Sequence, residues 1–155
     1  VPADVETGCI AATLARAFGI LRNDAAAAYY RLARELDGMS VFIQVEQECF
    51  QFRCTADRIV FEPLTGTPDV SIRSKPATIL ALIDGRMDLM DCILAGELDL
   101  RARVDVLPNI ARASIAFAEG AIRSRSMRGL LASFRQTVAS GEPSSPTDQS
   151  FRSIM

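Results

Sequence analysis

The chain has 155 residues, 49% of them hydrophobic, and its 17 basic and 19 acidic residues leave a net charge of −2. That is enough for one domain with a substantial core, marginal for two, and too apolar for a mostly disordered chain. No apolar run approaches the roughly 18 to 20 residues of a membrane span, and the charge balance argues against general nucleic-acid binding.

The first forty residues read as helical, with Ile10, Leu14, Phe18 and Leu21 in one register and Tyr29, Leu32 and Leu36 in another. Asn23-Asp24 separates the two helices, and Asp37-Gly38 ends them. The period then changes to two. Val41, Ile43 and Val45 alternate with Phe42, Gln44 and Glu46, and Phe50, Phe52 and Cys54 alternate with Cys49, Gln51 and Arg53. After a turn at Ala56-Asp57, Ile59 and Phe61 share a face, which completes an antiparallel meander ended by Pro63. Beyond the turn-rich residues 64–68, a fourth strand sets Val70 and Ile72 opposite Ser71 and Arg73.

Ser74-Lys75-Pro76 reads as a helix start, with Ser as the cap and Pro in the first turn, and Asp84-Gly85 as the stop. A second helix begins at Met87-Asp88 and closes at Ala95-Gly96. Each is about two to three turns long. Ile79-Leu80-Ala81-Leu82-Ile83 is almost wholly apolar, and the second helix adds Met87, Leu89, Met90, Ile93 and Leu94. One buried stripe does not account for so much apolar surface. The second face either fills the core or meets a partner, a membrane or an apolar ligand.

Leu98, Leu100 and Ala102 alternate with Glu97, Asp99 and Arg101 in a fifth strand. Asp105 and Pro108 open a helix running to about Gly120. A last helix, Ser126 to Ala139, carries the stripe Met127, Leu130, Leu131, Phe134 and Val138, a candidate partner-docking surface or the lid of the domain's own core. Residues 140–155 read as a flexible Ser- and Pro-rich tail. Residues 101–135 hold seven Arg against Asp105 and Glu119, either a solvated face or a surface for an acidic partner or anionic headgroups.

The chain has no His, which removes the commonest general base, the Ser-His and Cys-His nucleophile pairs and the commonest zinc ligand. The carboxylates Glu46, Glu48, Asp84, Asp88 and Asp91 read as caps and solvated groups, Ser74-Lys75 as a helix start, and Gly85 and Gly96 as helix ends rather than a phosphate loop. No catalytic residue, cofactor or metal is expected. Cys9, Cys49, Cys54 and Cys92 form no CxxC pair, and reduced structural thiols are expected. The N-terminus shows neither Met nor a basic-then-apolar leader, so a cytoplasmic protein is expected. A single Lys beside many Arg, with abundant Ala, points to a GC-rich bacterial source. The affirmative clue is apolar: Phe50, Phe52, Ile59 and Phe61 beneath Met-containing helices make a candidate pocket.

The element order, with Asp69-Val70-Ser71-Ile72, Ile83-Asp84-Gly85 and Leu94-Ala95-Gly96-Glu97-Leu98-Asp99-Leu100, resembles the sterol carrier protein type 2 domain over residues 23–122. The resemblance implies an α+β fold with a five-stranded, predominantly antiparallel sheet covered by helices. Residues 1–22 would be an added N-terminal helix, 123–139 an added C-terminal helix and 140–155 a tail. It further implies a hydrophobic tunnel that binds and transfers a sterol or fatty acyl lipid without catalysis. Its lining would be Ile79, Leu82, Ile83, Met87, Met90, Ile93 and Leu94 from the helices and Phe50, Phe52, Ile59, Phe61, Ile72, Leu98 and Leu100 from the sheet. The alternative is an accessory subunit of a lipid or quinone pathway that docks to a partner through the last helix. The chain departs from the pattern at Glu97 and Asp99, where Lys is frequent, at Ala102 in place of Gly, and at Ser153-Ile154-Met155, which is not a peroxisomal address.

Overall fold

The computed structural model describes residues 9–141 other than Thr65 and Gly85, and their side chains other than those of Cys9, Ile83 and residues 139–141. Helices α1 (Cys9–Asp24) and α2 (Ala26–Glu35) lead into strands β1 (Ser40–Val45), β2 (Glu48–Thr55), β3 (Arg58–Glu62) and β4 (Val70–Ser74). The short helices α3 (Pro76–Ile83) and α4 (Leu89–Leu94) follow, then strand β5 (Leu98–Ala102). A 3-10 turn at Val104–Val106 introduces helices α5 (Leu107–Arg123) and α6 (Arg125–Gly141). Helix α6 takes in the first two residues of the expected tail; 142–155 lie outside the described residues.

The strands form one sheet in the order β3-β2-β1-β4-β5, antiparallel except between β1 and β4. Val41 pairs with Phe52 and Val70, Ile43 with Phe50 and Ile72, Phe52 with Phe61, and Ile72 with Leu100. The apolar alternation of every strand therefore falls on one face, because partners directly opposite each other point the same way. Cys49, Arg53, Arg73, Asp99 and Arg101 stand exposed on the other. The parallel pair is fixed by a reciprocal clasp: Asp69 Oδ2 accepts from Ser40 N at 2.9 Å and Ser40 Oγ at 3.2 Å, while Asp69 N donates to Ser40 O at 3.0 Å.

Two local expectations resolve differently. Ser74 stays in β4, paired with Leu98 and Val45, and the helix cap is Lys75, with Pro76 in the first turn. The first-turn amides of Thr78 and Ile79 bond the Lys75 carbonyl instead of a side chain. Helix α5 runs past Gly120 to Arg123 because that glycine serves packing: a Cβ there would lie 2.5 Å from Leu21 Cδ1 and 2.9 Å from Ala28 Cβ. Its missing side chain lets α5 approach both α1 and α2. Ser124 then joins the last two helices. Its Oγ donates to Asp24 Oδ2 at 2.7 Å and accepts from Met127 N at 3.2 Å, so a side chain 1% exposed satisfies two elements at once.

The basic segment is partly neutralised by neighbours: Arg112 meets Glu35 at 3.0 Å, Arg135 meets Asp84 at 2.6 Å, and Arg101 and Arg103 meet Asp99 and Asp105. No described helix is long and apolar enough to cross a membrane.

Cys54 and Cys92 are buried free thiols, and Cys49 is exposed on the opposite sheet face. Burial, aided by Asp37, pushes the Cys54 thiol up to about 12. A thiol raised above its ordinary value of 9.0 contributes stability that is intact below that pH and lost as pH climbs toward 12. Iodoacetamide at pH 8 labels Cys49 and spares Cys54 and Cys92 until the chain unfolds, as residue-mapped mass spectrometry reads out. Gly120→Val overpacks the α1–α2–α5 junction and lowers stability by about 3 kcal/mol, measured by urea unfolding.

Candidate functional site

The strand pairing spreads a continuous apolar floor, and the helices do not fill all the space above it. A cavity of about 480 Å³ remains, floored by Val41, Ile43, Phe50, Phe52, Val70 and Ile72. Helix α1 contributes Ile10, Thr13, Leu14 and Phe18, and α2 contributes Leu32, with Leu36 just past its end. Ile79 and Leu82 of α3 line it, followed by Met87, Asp88, Leu89 and Met90 at the start of α4. Helix α5 supplies Ile110, Ala113, Ser114, Ile115 and Phe117, and α6 supplies Phe134. Met90 and Ile115 are 59% and 55% exposed although both line the cavity, so it opens to solvent where α4 packs against α5. Leu94 of α4 and Leu107 of α5 are exposed as well.

Aromatic packing stiffens part of this chamber. Phe18 packs on Phe52 at 5.4 Å and on Phe117 at 6.1 Å, and Phe61 packs against Phe50 and Phe52 at 6.0 and 5.6 Å. The N-terminal end of α1 is held by Glu48 of β2, whose carboxylate accepts from Ile10 N at 3.0 Å and Ala11 N at 2.7 Å. A carboxylate suits the free amides and positive dipole end of a helix, and here it comes from a distant strand. Asp84 is engaged by Arg135 and Arg86, and Asp88 caps α4 by accepting from Asp91 N at 2.8 Å. Among the described residues no three metal-ligating side chains gather.

The structure brings together Phe50, Phe52, Ile72, Ile79, Leu82, Met87 and Met90 from the residues singled out by sequence. Ile59, Phe61, Leu98 and Leu100 share the inner sheet face but stand outside the lining, as do half-buried Ile93 and Leu94, which is 79% exposed. The side chain of Ile83 lies outside the described residues. On α6, Met127, Leu130 and Phe134 are buried and Leu131 and Val138 half-buried, with Met127, Leu130 and Leu131 packed into the core cluster. The contributions of α1, α2 and α5 had no sequence signal beyond their apolar periodicity. That signal marks a buried face without showing whether it meets side chains or a void.

No protein-family model and no curated protein sequence matches the chain. Among solved structures, a conserved hypothetical protein of Thermus thermophilus, described as possibly a sterol carrier protein, superimposes with a TM-score of 0.51. The match has 16% identity and covers 75% of this chain and 86% of that one. A crystal structure of sterol carrier protein 2 also gives 0.51 at 16% identity, over 70% of this chain and 92% of that one. These likenesses establish the fold: the α+β arrangement of sterol carrier protein 2, with six helices and a five-stranded, mostly antiparallel sheet.

Removing the strand-borne cap loosens a cavity wall. Glu48→Ala costs about 2 kcal/mol, a melting-temperature drop of about 6 °C, and speeds amide hydrogen exchange at Ile10 and Ala11 more than in α5.

Proposed function

We propose that this chain is a non-catalytic lipid carrier that holds one hydrophobic molecule, a sterol or a long acyl lipid, in the cavity above the sheet. The observation that carries this reading is the cavity itself: about 480 Å³, almost wholly apolar, and open beside Met90 and Ile115. At about 30 Å³ per water-sized group, that volume holds on the order of 16 such groups, the scale of a long acyl chain or a sterol skeleton. A void lined by Leu, Ile and Phe excludes water for lack of hydrogen-bonding partners, and an apolar occupant restores the missing dispersion contacts.

Magnitudes agree with reversible carriage. Withdrawing roughly 500 Å² of apolar ligand surface from water at about 25 cal/mol per Å² gives on the order of 12 kcal/mol. Subtracting about 4 kcal/mol for association leaves micromolar affinity, tight enough to load and weak enough to unload. The fold shared with sterol carrier protein 2 supports the same reading, as do the two Met residues of the lining, Met87 and Met90, whose flexible side chains adapt to ligands of varied shape. Glu48 is committed to the cap of α1 and Asp84 to ion pairs, and Asp88 gives one oxygen to the cap of α4, so no chemical step is assigned to them.

Native mass spectrometry of the purified chain, followed by organic extraction, finds one lipid per protein. Leu82→Trp, which adds bulk at a half-buried lining position, reduces retention of that lipid about tenfold while circular dichroism stays unchanged. A chain that carries and rebinds no lipid overturns the proposal.

A further inference from the structure

The polar atoms of the cavity set a rule for the end of the ligand that reaches water. Among the described residues that line the cavity, Asp88 is the one ionisable side chain, and no Lys or Arg joins it. Its Oδ1 is occupied by Asp91 N at 2.8 Å, while Oδ2 has no recorded partner among the described residues. Ser114 also lines the cavity, and its hydroxyl has no recorded partner either. Asp88 precedes α4 and Ser114 lies on α5, two helices in contact, with exposed Met90 and Ile115 on the same elements. The field around α4 is negative. Burial first, and then Asp88, Asp91 and Glu97, raise the Cys92 thiol above its ordinary value. The nearest cation in sequence, Arg86, is turned to Asp84 at 3.6 Å.

We propose that the cavity selects an uncharged lipid bearing a hydroxyl, such as a sterol or a long-chain alcohol, and discriminates against carboxylate-headed fatty acids. The free oxygen of exposed Asp88 accepts the ligand's hydroxyl hydrogen at the mouth, and Ser114, on the α5 side of the same cavity, adds an uncharged hydroxyl to its lining. A carboxylate head brings no hydrogen to donate and places like charge beside Asp88, with no cation among the described lining residues to offset it. This inference rests on the lipid-carrier reading and narrows its ligand class.

The test uses two probes that differ only in the head: hexadecan-1-ol and hexadecanoate, each titrated at pH 8 into the delipidated full chain. The alcohol binds at least about tenfold more tightly to the native chain. Asp88→Asn preserves the cap of α4, since Asn caps as well as Asp. It brings the two affinities within about threefold by strengthening hexadecanoate. Equal binding of the two probes by the native chain, tighter binding of hexadecanoate, or an unchanged ratio in Asp88→Asn overturns this inference and leaves the carrier reading intact. Failure of the native chain to bind either probe overturns this inference, and the carrier reading falls with it when the chain also retains and rebinds no sterol or other lipid.

Discussion

The reciprocal clasp between Ser40 and Asp69 sets the position of everything that follows it in the chain. The β1–β2–β3 meander ends at a sheet edge, and the next strand must return across the sheet to the free side of β1. Asp69 binds the backbone and hydroxyl of Ser40, so β4 begins with Val70 opposite Val41 and runs parallel to β1. A parallel neighbour offers no hairpin to set its register, and a side chain takes over that role. With it, Ile72 comes beside Ile43, which faces Phe50 on its other side, and the floor of the cavity is continuous across three strands.

Above that floor the helices divide the work unequally. Helices α1, α2 and α5 are drawn close at Gly120 and joined to α6 through Ser124, and they form a tightly packed side. Helices α3 and α4 are short, apolar on more than one face, and linked to α6 by the Asp84–Arg135 pair. Their apolar surplus is divided among core, cavity and solvent, where Leu94 is exposed. Thr78, Leu80, Ala81 and Cys92 are buried, whereas Ile79, Leu82 and Met87 look into the cavity.

Much of this was legible in the sequence where the period was two. Every inner-face residue assigned by alternation, from Val41 to Ala102, is on the inner face, because a strand offers only two directions to a side chain. Which of them meet the cavity was not legible. Phe61 is on the correct face yet packs behind Phe50 and Phe52, and Leu98 lies at the end of the sheet under α4. Glu48 was read as a solvated or capping group without its helix, since a cap supplied from 37 residues away leaves no local pattern. Ser74 was misread for the converse reason: local pattern favours Ser as a cap, but strand pairing with Leu98 holds it in β4.

The polar outer face of the sheet has a role in folding fidelity. Each strand that floors the cavity carries polar side chains one residue away: Gln44 in β1, Gln51 and Arg53 in β2, Ser71 and Arg73 in β4. A slip of one residue in any of them turns an arginine, an amide or a hydroxyl toward the void, where no partner awaits it. A solid core punishes such an error by steric collision; along a cavity wall that safeguard is weaker. Here the cost of desolvating a misplaced polar group takes the place of collision, and a floor that faces a cavity keeps a single alignment of its strands.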